Sequence, residues 1–389
     1  MNNFRLLIHH HAVAYQNDEQ AIYTPSYIGR WINALSNHIG HISLLLYESE
    51  TLRPEQDEII KAENVTLSSL GAPGKTWDRI SRIKRLRRVC AQAARDADGL
   101  LVRGVTPRQM NIWSATPLRN KAFLLVGSLL ETKPILKPTF WGIYDALMWR
   151  WRKVEVMKIS KKGVVMANSP HIVEELAQLN RPATFVPTNS IRLDEFSPFY
   201  IRELSGRRKI LFCGRVVPEK GIRELILAVA KLNISQPFTL DIVGSVEPAF
   251  RLILNQLIQE LGIFESVKWH GHIPYGASLF TFYRLADVFV LPTYYEGFPH
   301  VIWEAAANCC PVVTTHVGGI PALWENNRHG ILVAPKDSSA ITEALNRLFN
   351  DNDLRHRLIQ NAYIYAKNFT VNSCAARLVN TLSENGWGK

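Results

Sequence analysis

Residues 209–230 read KILFCGRVVPEKGIRELILAVA. Lys209–Cys213 is a short apolar run of the length and make-up of a strand buried on both faces. Two glycines and a proline interrupt it between Gly214 and Gly221. From Glu224 to Leu232 the apolar residues return at helical spacing. Strand, loop and helix in that order predict a βα unit, and the pattern repeats downstream. Phe238–Val243, Val267–His270, Val288–Pro292 and Val312–Thr314 read as strands. Glu247–Leu261, Ser278–Leu285, a segment beginning near Val301 and Ser338–Phe349 read as helices. The expectation is a doubly wound α/β domain over residues 195–369.

Upstream the same alternation is present. Phe4–Ile8, Ile42–Tyr47, Gly99–Val102, Pro134–Pro138 and Val164–Ala167 read as strands, and Ser26–Ile39 and Ile80–Ala97 as helices. These predict a second Rossmann-like domain over residues 1–194, joined through the proline-bearing segment Val186–Ser197. Residues 370–389 read as a terminal helix, Asn372 to Asn385, packing back on the first domain. A length of 389 residues accommodates two cores.

Composition narrows the class. A hydrophobic content of 47% and a charged content of 20% are those of a globular chain and exclude a mostly disordered one. The five cysteines, Cys90, Cys213, Cys309, Cys310 and Cys374, are odd in number and form no Cys-x-x-Cys pair. A disulfide framework or thiolate zinc site is not expected, and reduced thiols in a cytosolic compartment are. Met1 to Ile8 reads as a strand rather than a signal peptide. The longest apolar stretch, Ala122 to Leu130, falls far short of the ~20 residues that span a bilayer. The expected location is cytoplasmic, with contact at most on the inner membrane face.

Ligands of open α/β sheets bind beyond the carboxyl ends of the strands, and three loops lie there. In Gly214–Gly221, Arg215 and Lys220 are two cations able to converge on a diphosphate, with Gly214 allowing close backbone approach. The alternative is a solvated turn with incidental charges. Gly244-Ser245, after Phe238–Val243, offers backbone N–H groups. The third loop, Tyr295-Glu296-Gly297-Phe298-Pro299, runs directly into a helix, where N-terminal amides face an anion. Glu304 follows Glu296 by eight residues, a little over two turns, and carboxylates accept well from sugar hydroxyls. Against this stands a helix-start glutamate beside a solvated one.

These motifs, together with Pro311-Val312-Val313 and Gly318-Gly319, resemble glycosyltransferase family 4. The resemblance covers about Lys209 to Phe369 and is architectural upstream. It implies the GT-B fold, with two doubly wound domains facing a central cleft. It also implies a metal-independent retaining enzyme moving a hexosyl or related group from a nucleotide-diphosphate sugar to a glycan or lipid-linked acceptor. Cell-envelope or exported polysaccharide would be the product. Arg215 and Lys220 then hold and stabilise the departing diphosphate and Glu296 lies by the transferred sugar, making these three the catalytic set. Glu304 binds the ribose; Gly214, Gly244, Ser245, Gly297, Phe298 and Pro299 line the donor pocket. No cofactor is implied beyond the co-substrate, and no metal. Cys310 stands where the family has glycine, Ala322 where an acid is usual, and Ser190 replaces a linker glycine.

Outside the donor loops, His9-His10-His11 invites a metal reading, but adjacent side chains diverge, so a loop role for His10 and His11 at acceptor or sugar is preferred. Arg103, at a strand end, joins them as a contact, whereas His270 and His272 read as structural. The net charge of +11 lies mostly in residues 1–195, with 26 Lys+Arg against 18 Asp+Glu. Segments 79–88 and 149–162, basic with interleaved Ile, Leu and Trp, suit an anionic membrane surface. The alternatives are a basic nucleic-acid-binding protein, for which no module is visible, and a GT-B sugar-nucleotide epimerase. No nucleic-acid partner is expected.

Overall fold

The computed structural model describes residues 1–73, 83–104, 109–126, 150, 154, 156–158, 160–204, 206–232 and 237–388. It divides into two compact units, Met1–Ser190 with Val371–Lys389, and Ile191–Thr370.

The first unit runs β1 (Arg5–Gln16), β2 (Ile22–Thr24), α1 (Ser26–Ser36), β3 (His41–Glu48), β4 (Glu58–Ile60), β5 (Val65–Ser69), α2 (Ile83–Ala93), β6 (Gly99–Arg103), α3 (Gln109–Ala115), β7 (Asn120–Leu125), β8 (Val164–Ala167), α4 (Pro170–Gln178) and β9 (Thr184–Phe185). Its main sheet is parallel in the order β5-β3-β1-β6-β7-β8-β9. Leu6–Ile8, Leu44–Leu46, Leu100–Val102 and Phe123–Leu125 are all buried, as strands covered on both faces require. Chain order reverses at β1, which has β3 on one side and β6 on the other.

Three expectations need correction. The first strand continues through the histidines to Gln16, so His9, His10 and His11 are strand residues rather than loop residues. Its register against β3 breaks between His9 and Val13, a bulge that redirects the strand's far half. That half pairs antiparallel with β2, and β2 with β4, so the unit is not purely parallel. Asn120–Leu125, within and just before a stretch read only as apolar, is a central strand. Pro134–Pro138, Trp149 and Trp151 lie outside the described residues.

The second unit runs β10 (Arg208–Cys213), α5 (Ile222–Ala230), β11 (Phe238–Val243), α6 (Pro248–Glu260), β12 (Val267–Gly271), α7 (Ala277–Leu285), β13 (Val288–Leu291), α8 (His300–Ala307), β14 (Val312–Thr315), α9 (Ile320–Leu323), β15 (Ile331–Val333), α10 (Ser338–Asn350) and α11 (Asn352–Ala366). All six strands are parallel in the order β12-β11-β10-β13-β14-β15. The order reverses between β10 and β13, the point at which such sheets hold ligands. The chain then returns to the first unit as α12 (Val371–Glu384), which packs on α1. Trp387 stacks on Phe4 at 5.7 Å.

Candidate functional site

At the reversal between β10 and β13, two loops are forced together by backbone contacts. Gly221, with φ of +68°, begins α5, and a Cβ there would lie 1.9 Å from the Pro292 carbonyl oxygen. Only glycine meets both conditions. The Glu219 carbonyl accepts from the Tyr294 amide at 2.8 Å, tying Pro218–Lys220 to the loop after β13. On the other side a Cβ on Gly244 would come within 1.8 Å of the Gly214 oxygen, and the Val216 amide donates to the Ser245 carbonyl at 2.9 Å. Gly214, Gly244 and Ser245 therefore line one edge of the same strand-end crevice.

Within it the Lys220 ammonium donates to Glu296 Oε1, both side chains being partly exposed. This corrects a simple reading of Arg215 and Lys220 converging. Lys220 is turned to the carboxylate, and Arg215 is exposed with no ion-pair partner among the described residues. The Glu296 backbone is fixed as well. Its carbonyl accepts from the Gly319 amide at 3.0 Å, and a Cβ on Gly318, with φ of +52°, would lie 2.1 Å from it. The Gly318-Gly319 signal is thus a packing device beneath Glu296.

Gly297, Phe298 and Pro299 lead into α8, with Pro299 as its N-cap. Phe298 is buried and stacks on Trp303 at 5.4 Å with 17° between the planes, which anchors the turn. One turn further, Glu304 is buried and accepts from the Tyr283 hydroxyl at 2.8 Å. Tyr283 comes from α7, and sequence reasoning did not single it out, because a tyrosine at a helical core position carries no motif. Burial pushes its phenol well above the ordinary value, with the charges of Cys213 and Glu304 adding to the shift. Burial, then Glu304, pushes the Cys213 thiol up to about 12, so it stays a neutral thiol. Truncating the hydroxyl in Tyr283→Phe leaves a buried carboxylate oxygen short of a donor. Losing one donor to a buried carboxylate costs about 1–3 kcal/mol. The expected outcome is a loss of about 1–3 kcal/mol in unfolding free energy, measured by urea denaturation, with the fold retained.

The other polar candidates separate clearly. His270 pairs with Asp241 at 2.7 Å on neighbouring strands of the second unit. His10 and His11, within β1, lie beside the end of β6 at Arg103 and Gly104. Among the described residues there is no group of three or more His, Cys, Asp or Glu placed to hold a metal ion, and no helix long and apolar enough to cross a membrane. Of the two basic segments, 83–88 and parts of 149–162 are described, with Lys84, Arg85, Arg87 and Arg88 exposed on α2 and Lys158, Lys161 and Lys162 exposed downstream.

Residues 195–365 match the family described as Glycosyl transferases group 1. An uncharacterized glycosyltransferase of Methanocaldococcus jannaschii is 36% identical over 155 residues, 40% of this chain and 39% of that protein. A D-inositol 3-phosphate glycosyltransferase of Corynebacterium efficiens is 33% identical over 180 residues, 45% of this chain and 42% of that protein. The chain thus spans less than half the length of these two relatives. Among solved structures, a glycosyltransferase from Rickettsia africae superposes over 100% of both chains with a TM-score of 0.72 at 17% identity. The sucrose-phosphate synthase of Thermosynechococcus elongatus covers 98% of this chain and 99% of its own, with a TM-score of 0.72 at 18% identity. Anabaena HepE, solved in complex with UDP and glucose, covers 98% of this chain and 100% of its own, with a TM-score of 0.67 at 17% identity. At such identities the likeness is one of fold, and that fold is GT-B, with two Rossmann-like domains. Residues 195–365 are a glycosyl transferases group 1 domain, carried in a chain of GT-B fold.

Proposed function

We propose that this protein is a family 4 retaining glycosyltransferase that moves a sugar from a nucleotide-diphosphate donor to a glycan or lipid-linked acceptor. The observation that carries the reading is the joining of Lys220, Glu296 and the Gly297–Pro299 turn at the switch point of the second sheet. An anion leaving from an anomeric carbon needs preorganised positive charge, supplied by Lys220, Arg215 and the amides at the start of α8. Glu304, held by Tyr283, accepts from the ribose hydroxyls. Glu296 accepts from the transferred sugar once Lys220 turns to the diphosphate. Gly214, Gly244 and Ser245 allow the close backbone approach. The leaving phosphate takes the acceptor's proton on the same face, so the mechanism requires neither an enzyme nucleophile, a metal nor a cofactor.

The first unit serves the acceptor, and the exposed cations of α2 suit an anionic surface such as the cytoplasmic membrane face. Synthesis of cell-envelope or exported polysaccharide fits such a placement. A calorimetric screen of the full chain against UDP, GDP, ADP and TDP sugars tests the donor assignment. Binding of one nucleotide class, lost in Glu304→Ala, is expected; binding of none overturns it.

A further inference from the structure

The sheet of the first unit has its own switch point, where β1 lies between β3 and β6. His9 of β1 pairs with Val102 of β6, so His10 and Arg103 are the next residues along each strand. Arg103 is 3% exposed, and its Nε and Nη1 are buried without a hydrogen-bond partner. Among the described residues it has no ion pair, and its guanidinium lies 4.4 Å over the ring of Trp31, itself buried. A buried cation with unfilled donors is costly to fold around. Such a group persists where a ligand completes it.

The surroundings favour an anion. His10 is buried and accepts from the Ala12 amide through Nδ1 at 2.9 Å, so a neutral ring carries its proton on Nε2 and donates there. Burial, and then the charge of Arg103, hold the His10 and His11 rings below their ordinary value, which leaves Arg103 as the cation of the cluster at neutral pH. The His11 ring lies tilted beside His10 at 4.1 Å and Tyr27 meets His10 edge-on at 5.9 Å; both are exposed, a rim above the buried base. Gly104, with φ of +83°, follows Arg103 with no atom closer than 3.9 Å to where its Cβ would be.

We infer that Arg103, with His10, His11 and Tyr27, forms an oxyanion site in the first unit. It takes a phosphate or carboxylate group of a substrate and needs no contribution from Lys220 to do so. That the group belongs to the acceptor rests on the proposed function; the existence of the site does not. The Arg103 fork is suited to bidentate recognition of either anion.

The test is calorimetry of the full chain with inorganic phosphate and with acetate, on wild type, Lys220→Ala, Arg103→Met and Arg103→Lys. Binding of one anion should persist in Lys220→Ala, weaken at least tenfold in Arg103→Met, and return in part in Arg103→Lys. Preference for phosphate or for acetate identifies the group taken. Arg103→Met should also melt at or above the wild-type temperature, because it removes an unpaired buried charge. Anion binding unchanged by Arg103→Met, or abolished by Lys220→Ala alone, overturns the inference. A lowered melting temperature in Arg103→Met with anion binding intact would make Arg103 a structural cation and overturn it equally. A failed nucleotide-sugar screen would leave this result standing, so the two readings fail separately.

Discussion

Replacing Lys220 by alanine is expected to lower kcat for sugar transfer 10²- to 10³-fold, with the melting temperature nearly unchanged. The magnitude follows from removing one preorganised donor aimed at developing negative charge, typically about 3–4 kcal/mol of barrier. Lys220 is the cation best placed for this, because Gly221 wedges its loop against Pro292 and Glu296 holds the ammonium at the strand ends. Arg215 is exposed, so water screens its charge. Arg215→Ala should cost less, and its cost should shrink as salt is raised. The fold survives Lys220→Ala because the ion pair is partly hydrated and lies outside the hydrophobic core of the second unit. Steady-state kinetics with the nucleotide sugar identified by the binding screen, beside thermal unfolding, measure both quantities. Wild-type turnover by Lys220→Ala would remove the leaving-group role.

The second unit was legible because its chemistry and its backbone geometry fall on the same residues. Gly221, Gly244 and Gly318 are required by close backbone approaches and Gly214 by its φ of +142°, and they fall at the strand ends where the ligand loops start. A βα repeat with glycine after each strand therefore announces fold and site together. Phe238–Val243 has the predicted bounds, and α7, α8 and α10 differ from expectation by a residue or so. What stayed hidden was pairing. Spacing put Glu296 before the turn and Glu304 after it, able to reach one cleft, but it could not show that one is held by Lys220 and the other by Tyr283. Both partners come from distant segments, with separations of 76 and 21 residues.

The first unit was less legible for a different reason. Its first strand carries three consecutive histidines where apolar residues were expected, so a polarity-based boundary fell too early. The strand continues because His9 and His10 are buried within hydrogen bonds that replace apolar packing. The His9 Nδ1–H donates to the Leu45 carbonyl at 2.8 Å, and His10 Nδ1 accepts from Ala12. A buried neutral imidazole is compatible with a sheet interior, whereas a charged one is not.

That substitution of neutral rings for apolar side chains makes the protein acid-sensitive. Burial lowers His9 to about 4, opposed in part by its bond to Leu45 and aided by His11, and His10 is shifted in the same direction. In the unfolded chain both rings titrate near 6.5. Between about pH 6.5 and 4 the unfolded chain therefore holds protons that the folded chain does not, and stability falls as pH drops through that window. His9 should withdraw about 1.4 kcal/mol by pH 5.5, rising toward about 3 kcal/mol near pH 4, and His10 acts in the same direction. At pH 5.5 ordinary carboxylates are still ionised, so the loss between pH 7.5 and 5.5 belongs largely to histidine. Urea unfolding at those two pH values should show a fall of more than about 1 kcal/mol in the wild-type chain. In His9→Gln, which keeps an N–H donor for the Leu45 carbonyl but does not titrate, about 1.4 kcal/mol of that fall should disappear. A wild-type stability equal at the two pH values, or a His9→Gln chain with an undiminished fall, would mean that these rings reach solvent in the folded protein.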